Sequence, residues 1–299
     1  MNARVEIETR RGRVAGLSAD GVTTFRGIPF AEAPRRALRF APPVPRSRWS
    51  GVLDATRRAP AAPHVASAVG ELIGLADDLQ DEDCLHATVW APAHAKSTSR
   101  LPVMVWIHGG GFESGSAGNP IADGRALAKR GDLVIVSLQY RIGIIGFLAL
   151  EGAAANRGLL DLVLGLEWVQ REIEAFGGDP ERVTLFGSSA GGASVAALLA
   201  LPEARACFHR AIVQSGSAEC FHPREVADAT RAEVAREMHV SGDELRSALE
   251  RLDVRALLEV QRVVSARREE QTGQLTFAPW FPGAPFSAPV LACIARGEA

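Results

Sequence analysis

Two stretches, LPVMVWI (Leu101–Ile107) and DLVIVSL (132–138), run apolar without the alternation of a half-solvated strand. Such runs predict strands buried on both faces of a parallel sheet. VTLF (183–186) and AIVQ (211–214) repeat the pattern. Between these runs the apolar residues fall at helical spacing over 122–129, 160–176 and 193–201, and the second helix meets Gly177 and Gly178, a C-cap signal. The order is strand, helix, strand, which predicts an α/β fold: a mostly parallel, twisted sheet with helices on both faces.

The flanks read differently. From Thr9 to Phe30 short β-type runs alternate with Gly and Asp turns, and a Pro/Arg-rich stretch over 33–63 reads as surface loop, so residues 1–100 form an antiparallel entry region. Between Arg224 and Glu269, Val226, Val234, Leu245, Leu249, Leu252, Leu257 and Val260 recur among charges, which predicts two or three amphipathic helices forming a cap over 223–276. Pro and Gly then recur through FAPWFPGAPFSAP before a short helix near 290–295. Residues 101–222 are left as the core of a single domain over 1–299.

Composition narrows the class. With 47% hydrophobic residues in 299 and a formal net charge of −2, the chain can bury a large core and has no basic face for nucleic acid and no polybasic membrane tether. The N-terminus, MNARVEIETRRGRV, carries charges throughout and no apolar h-region, so neither a signal peptide nor a membrane span is expected, and the expected location is the cytoplasm. Cys84, Cys207, Cys220 and Cys293 stand far apart with no ligand spacing. They read as free core thiols, not a zinc site or a disulfide framework.

The chemistry sits at two glycine-rich turns. In VTLFGSSAGGASVAALL an apolar strand enters GSSAG and a helix begins at once, the setting of a G-x-S-x-G nucleophile elbow centred on Ser189. Gly187 and Gly191 leave no side chain where strand and helix crowd, so Ser189 can be held strained with its hydroxyl exposed. The second turn, HGGGF (108–112), follows the strand Leu101–Ile107, and its glycines can turn backbone N–H groups into one concavity, as an oxyanion hole requires. A flexible loop or a phosphate cradle are the other readings of HGGG, but neither G-x-x-x-x-G-K-[ST] nor G-x-G-x-x-G is present. The two turns together point to a serine hydrolase.

The chain resembles the type-B carboxylesterases, a family that includes cholinesterases and para-nitrobenzyl esterases. The likeness is carried by FRGIPFAEAP, LRFAPP, EDCL, VWIHGGGF, YRIGIIGFL, NRGLLD, FGGDPERVTLFGSSAGG and FHRAIVQSGSA. It implies the α/β-hydrolase fold, a small-molecule carboxylic ester as substrate, no cofactor, Ser189 as nucleophile, and an oxyanion hole from the N–H groups of Gly110, Gly111 and Ala190. His108 then belongs to the oxyanion motif, and Arg39–Glu82 and Arg141–Asp161 match structural ion pairs. Ser217, in QSGSA, matches a serine near the active site that would support it by hydrogen bonding, unless it is a plain loop serine.

Three departures from the family pattern matter. Ser188 stands where the family usually carries Glu before the nucleophile, which should tune activity. Secreted members pair the EDCL cysteine with an upstream cysteine; Ala62 stands there, so the resemblance implies a free Cys84. The segment from Phe277 onward resembles the one leading into the strand with the catalytic acid, and the sequence in hand stops before that strand and the triad histidine. Each of its seven histidines has a bland explanation as oxyanion motif, strand, loop or cap residue. Loss of the base costs a serine protease about 10⁶ in kcat, so little or no activity is expected of this chain. The remaining readings are a non-catalytic remnant or binding module, or a half-enzyme completed by another chain. The strand edge between Ala211 and Gln214, left apolar and uncovered, would then favour self-association or pairing. Trp90, Trp106, Phe112, Trp280 and Phe281 read as core residues or as the wall of a substrate pocket.

Overall fold

The computed structural model describes residues 3–65, 79–283, 285–286 and 288–296. Its strands are β1 (Ala3–Thr9), β2 (Gly12–Ala19), β3 (Val22–Pro29), β4 (Val52–Asp54), β5 (His86–Pro92), β6 (Leu101–Ile107), β7 (Val134–Leu138), β8 (Gly178–Ser188), β9 (Arg210–Gln214), β10 (His222–Pro223) and β11 (Trp280–Phe281). Among the described residues the main sheet has the order β1-β2-β3-β5-β7-β6-β8-β9, with β4 beside β2. β1, β2, β3, β5 and β7 pair antiparallel in turn, whereas β7, β6, β8 and β9 run parallel. The predicted α/β sheet is therefore present, with a mixed rather than parallel first half. β1 was not expected, because ARVEIET is charged at every second position; the structure leaves that face at the surface of an end strand.

The helices are α1 (Arg125–Gly131), α2 (Gly143–Phe147), α3 (Arg157–Glu172), α4 (Ala190–Leu199), α5 (Pro202–Arg205), α6 (Arg224–Glu237), α7 (Gly242–Arg251), α8 (Val254–Thr272) and α9 (Val290–Ala295). α3 continues as a 3-10 turn to Phe176 and stops at Gly177, whose φ of 86° is the left-handed cap predicted there. Asp132, expected in a strand, instead caps α1 in the left-handed region, and β7 begins two residues later. The cap resolves into three helices: Ser241 closes a capping box on Glu244 at the start of α7, and Asp253 caps α8.

Burial grades across the sheet. β7 is buried at every position, β6 at Val103, Val105 and Ile107, and β9 almost nowhere. Expecting β9 to be covered on both faces is thus overturned: β8 is its neighbour on one side, and Ile212 and Val213 are 43% and 42% exposed. The cysteines are free, but Cys220 is exposed, not a core thiol. Cys84 and Ala62 flank one small void, and burial pushes the Cys84 thiol well up from its usual range.

Two buried ion pairs hold the loops to the sheet. Arg39 reaches Glu82 through Nε (2.6 Å) and Nη2 (3.0 Å), and its Nη1 donates to the carbonyls of Leu249 and Leu252, at 2.8 Å each. Arg141 grips Asp161 with Nε (2.8 Å) and Nη2 (2.6 Å), while its Nη1 donates to the carbonyls of Arg39 and Ala41. Every polar atom has a partner, the condition under which a buried pair is tolerable.

Candidate active site

β8 delivers its chain end-on to the elbow. Ser189 has φ 56° and ψ −124°, a conformation that L-residues avoid, and α4 starts at the next residue. Two close approaches enforce it: a Cβ on Gly187 would lie 2.6 Å from the Gly191 carbonyl carbon, and one on Gly191 would lie 2.2 Å from the Ile107 oxygen. The Ser189 N–H donates to the Gln214 carbonyl at 2.9 Å, so β9 also holds the turn. The Ser189 residue is exposed, as a nucleophile must be.

Ser189 opens into a cavity of about 680 Å³ whose walls include Ser188, Gly110, Gly111, Glu113 and Leu275. Gly110 (φ 117°) and Gly111 (φ 63°) lie in the region that favours glycine. Among the described residues the N–H groups of Gly110, Gly111 and Ala190 donate to no acceptor. The last is the first N–H of α4, which no helix can satisfy internally, and it adds the positive end of the helix dipole. Three idle donors beside an exposed hydroxyl can bind an oxygen that becomes negative when the serine attacks a carbonyl.

His108 is committed elsewhere. Its ring stacks on Tyr140 with centroids 4.4 Å apart. Gln139 Oε1 accepts from the Ala117 N–H (2.8 Å), which turns the Gln139 amide nitrogen toward His108 Nε2 (3.1 Å). Nε2 therefore accepts, and Nδ1–H donates to the Gly109 carbonyl at 2.9 Å. Burial lowers the pKa of this neutral imidazole to about 4. Such a ring holds the glycine-rich loop that it opens and has no nitrogen left to take a proton from Ser189.

The other six histidines do not line the cavity. His64 bonds the Ala62 carbonyl, His222 the Leu275 carbonyl, and His209 accepts from the Val183 N–H. Two approach carboxylates: His94 lies 3.0 Å from Asp132 on the surface, at the far end of β7 from the elbow, and His86 lies 3.7 Å from Asp83. No histidine–carboxylate pair faces Ser189 among the described residues.

Ser188 lines the cavity half-buried, whereas Ser217 is exposed on the turn after β9, its hydroxyl accepting from the Glu219 N–H at 3.1 Å. Of the five aromatics singled out, Trp106 lines this cavity, while Trp90, Phe112 and Trp280 are buried. The residue that sequence reasoning missed is Glu113. Its Oε2 accepts from the Ser265 hydroxyl on α8 (2.6 Å), and its Oε1 accepts from the N–H groups of Thr276 (3.1 Å) and Phe277 (3.2 Å). Burial raises its pKa, and these donors partly offset the shift. A carboxylate directly after HGGGF was the available signal. No group of His, Cys, Asp and Glu suited to a metal ion occurs among the described residues.

A family model described as the carboxylesterase family matches residues 3–291. The chain is 39% identical over 280 residues to the para-nitrobenzyl esterase of Bacillus subtilis (strain 168), covering 91% of this chain and 56% of that protein. It is 46% identical over 219 residues to the cocaine esterase of Homo sapiens, covering 69% of this chain and 38% of that protein. Among solved structures, a PNB esterase superposes with a TM-score of 0.89 at 37% identity, covering 99% of this chain and 62% of that one. A Geobacillus stearothermophilus carboxylesterase gives a TM-score of 0.87 at 36% identity, covering 99% and 59%. The match thus spans between 38% and 62% of the length of these relatives.

Proposed function

Because the chain belongs to the carboxylesterase family, we propose that it carries the nucleophile and oxyanion half of a serine carboxylic-ester hydrolase. The Ser189 hydroxyl attacks the ester carbonyl, its proton passing to a base. The tetrahedral oxyanion is bound by the N–H groups of Gly110, Gly111 and Ala190. The alcohol leaves with a proton, and water releases the acid from the acyl-serine. No step calls for a cofactor. The observation that carries this reading is the strained, exposed Ser189 beside idle N–H donors in one cavity.

The described residues place no base on Ser189, so turnover by this chain alone should be slight. Oxyanion binding and substrate binding keep about 10³ to 10⁴ over water when a triad is disabled. No helix among the described residues is long and apolar enough to cross a membrane.

An alkyl boronic acid tests the nucleophile and hole without requiring turnover, because it forms a tetrahedral adduct on a serine oxygen. Saturable binding that is lost in Ser189→Ala is expected. Absence of binding, or equal binding by the variant, would make the chain a remnant that keeps only the fold. Hydrolysis of a short p-nitrophenyl ester, with the same control, then reports whether any base reaches Ser189.

A further inference from the structure

Two side chains on the wall of the Ser189 cavity hold polar atoms that the fold does not use. Thr276 is 3% exposed, and its hydroxyl takes no hydrogen-bond partner among the described residues. Asn119 is 7% exposed; its Oδ1 accepts from the Ile121 N–H at 2.9 Å, which settles the orientation of the amide and leaves Nδ2 without an acceptor among the described residues. Polar side chains this deeply buried are otherwise almost always paired. Neither atom is sealed, unlike the indole Nε1–H of Trp106 on the same wall, which is closed off from solvent. Thr276 lines this cavity alone, whereas Asn119 stands on the partition shared with a second hollow of about 290 Å³.

Thr276 is held in place by its backbone. Its N–H donates to Glu113 Oε1 at 3.1 Å, and its neighbour Leu275 has Cδ2 3.3 Å from where a Cβ on Gly111 would lie. The free hydroxyl therefore stands beside the glycine turn whose N–H groups are idle. Water can satisfy such a group until a ligand enters. A hydrocarbon that displaces the water forfeits its hydrogen bonds, and a polar group of the ligand recovers them.

Charge selects the kind of polar group. Glu113 and Glu269 line the cavity, and among the described residues neither Lys nor Arg does. The residues that the structure does not describe include Glu and Asp but no Lys or Arg, so they add no basic side chain. A carboxylate on the ligand would meet like charge, whereas an uncharged oxygen accepts from both donors without that cost.

We propose that Thr276 and Asn119 form a polar subsite of the ester cavity that selects esters carrying a second, uncharged hydrogen-bond acceptor, such as an ether, hydroxyl or amide oxygen. This rests on the reading of the cavity as an ester site and names the class of ester that it takes.

The test is a ligand-observed NMR titration of the 299-residue chain carrying Ser189→Ala, so that esters bind without turnover. Two matched pairs put an ether oxygen in place of a methylene: ethyl methoxyacetate against ethyl butyrate on the acyl arm, and 2-methoxyethyl acetate against butyl acetate on the alcohol arm. Thr276→Val removes the hydroxyl at constant shape and keeps the N–H bonded to Glu113. Asn119→Asp keeps the oxygen that accepts from Ile121 and removes the donor, so a merely structural role for either residue leaves binding unmoved. In at least one pair the ratio of affinities, ether over hydrocarbon, should fall about three- to tenfold, the loss of one neutral hydrogen bond; a fall in one variant alone assigns the contact to that residue. Monoethyl succinate, which carries a carboxylate, should bind more weakly than ethyl methoxyacetate. A ratio unmoved by both variants in both pairs overturns the proposal, and tighter binding of the succinate overturns its uncharged class. No binding of any ester would remove the ester reading as well, whereas a saturable boronic acid adduct on Ser189 beside an unmoved ratio would leave that reading standing and remove this one alone.

Discussion

His108 shows how far one residue can be read. HGGGF marks it as the first residue of a glycine-rich turn, but its protonation state follows from a tertiary neighbour, Gln139, thirty-one positions away. Its folded pKa of about 4 lies below the ordinary 6.5, so the charged form is disfavoured by folding. The sign follows: between those values the unfolded chain binds the extra proton, and the stability due to His108 is full above about pH 6.5 and is lost as pH falls toward 4. Lowering the pH from 7 to 5 should remove about 2 kcal/mol through this residue, within a total of about 3 kcal/mol. Urea unfolding of the chain and of His108→Gln at both pH values checks it. If the two lose the same stability on acidification, the neutral ring is not the source. The same limit explains Ser217: its motif suggested the site, yet its hydroxyl is used by a local turn with Glu219.

At the scale of elements the sequence was most legible where patterns are local. The apolar runs at β6, β7 and β8, the glycine stop after α3 and the three cap helices depend on neighbours a few residues apart. The seam between cap and core was not legible, because it joins residues over 150 positions apart. Glu113 is that seam, one carboxylate accepting from Ser265 on α8 and from the backbone of Thr276 and Phe277. Glu113→Ala leaves those three donors without an acceptor, at a cost of about 1–3 kcal/mol. Glu113→Gln keeps an amide oxygen for the two N–H groups and should cost less. Denaturation midpoints give the stability, and hydrogen exchange at Thr276 and Phe277 should accelerate in the alanine variant alone. Unchanged protection there would mean that the cap is seated by its apolar contacts.

At the scale of the whole molecule, local signals say how strands are made and not what lies beside them. The AIVQ run resembles a buried strand, and alternation cannot distinguish that from β9 as found, paired with β8 on one side and bare on the other among the described residues. Ile212 and Val213 stand 43% and 42% exposed on an edge whose backbone groups can template another strand. Covering what is left exposed of the two side chains contributes about 1–3 kcal/mol, short of the ~8 kcal/mol of micromolar association, so pairing would draw the rest from the backbone ladder that the edge offers. The 299-residue chain should therefore sediment as a self-associating species, and Val213→Lys, which adds a charge of the kind that natural edge strands use against pairing, should shift it toward monomer. Sedimentation velocity over a concentration series reads both. A wild-type chain that remains monomeric throughout would show that β9 is too short or too twisted to recruit a partner, and the half-enzyme completed through this edge would lose its physical basis.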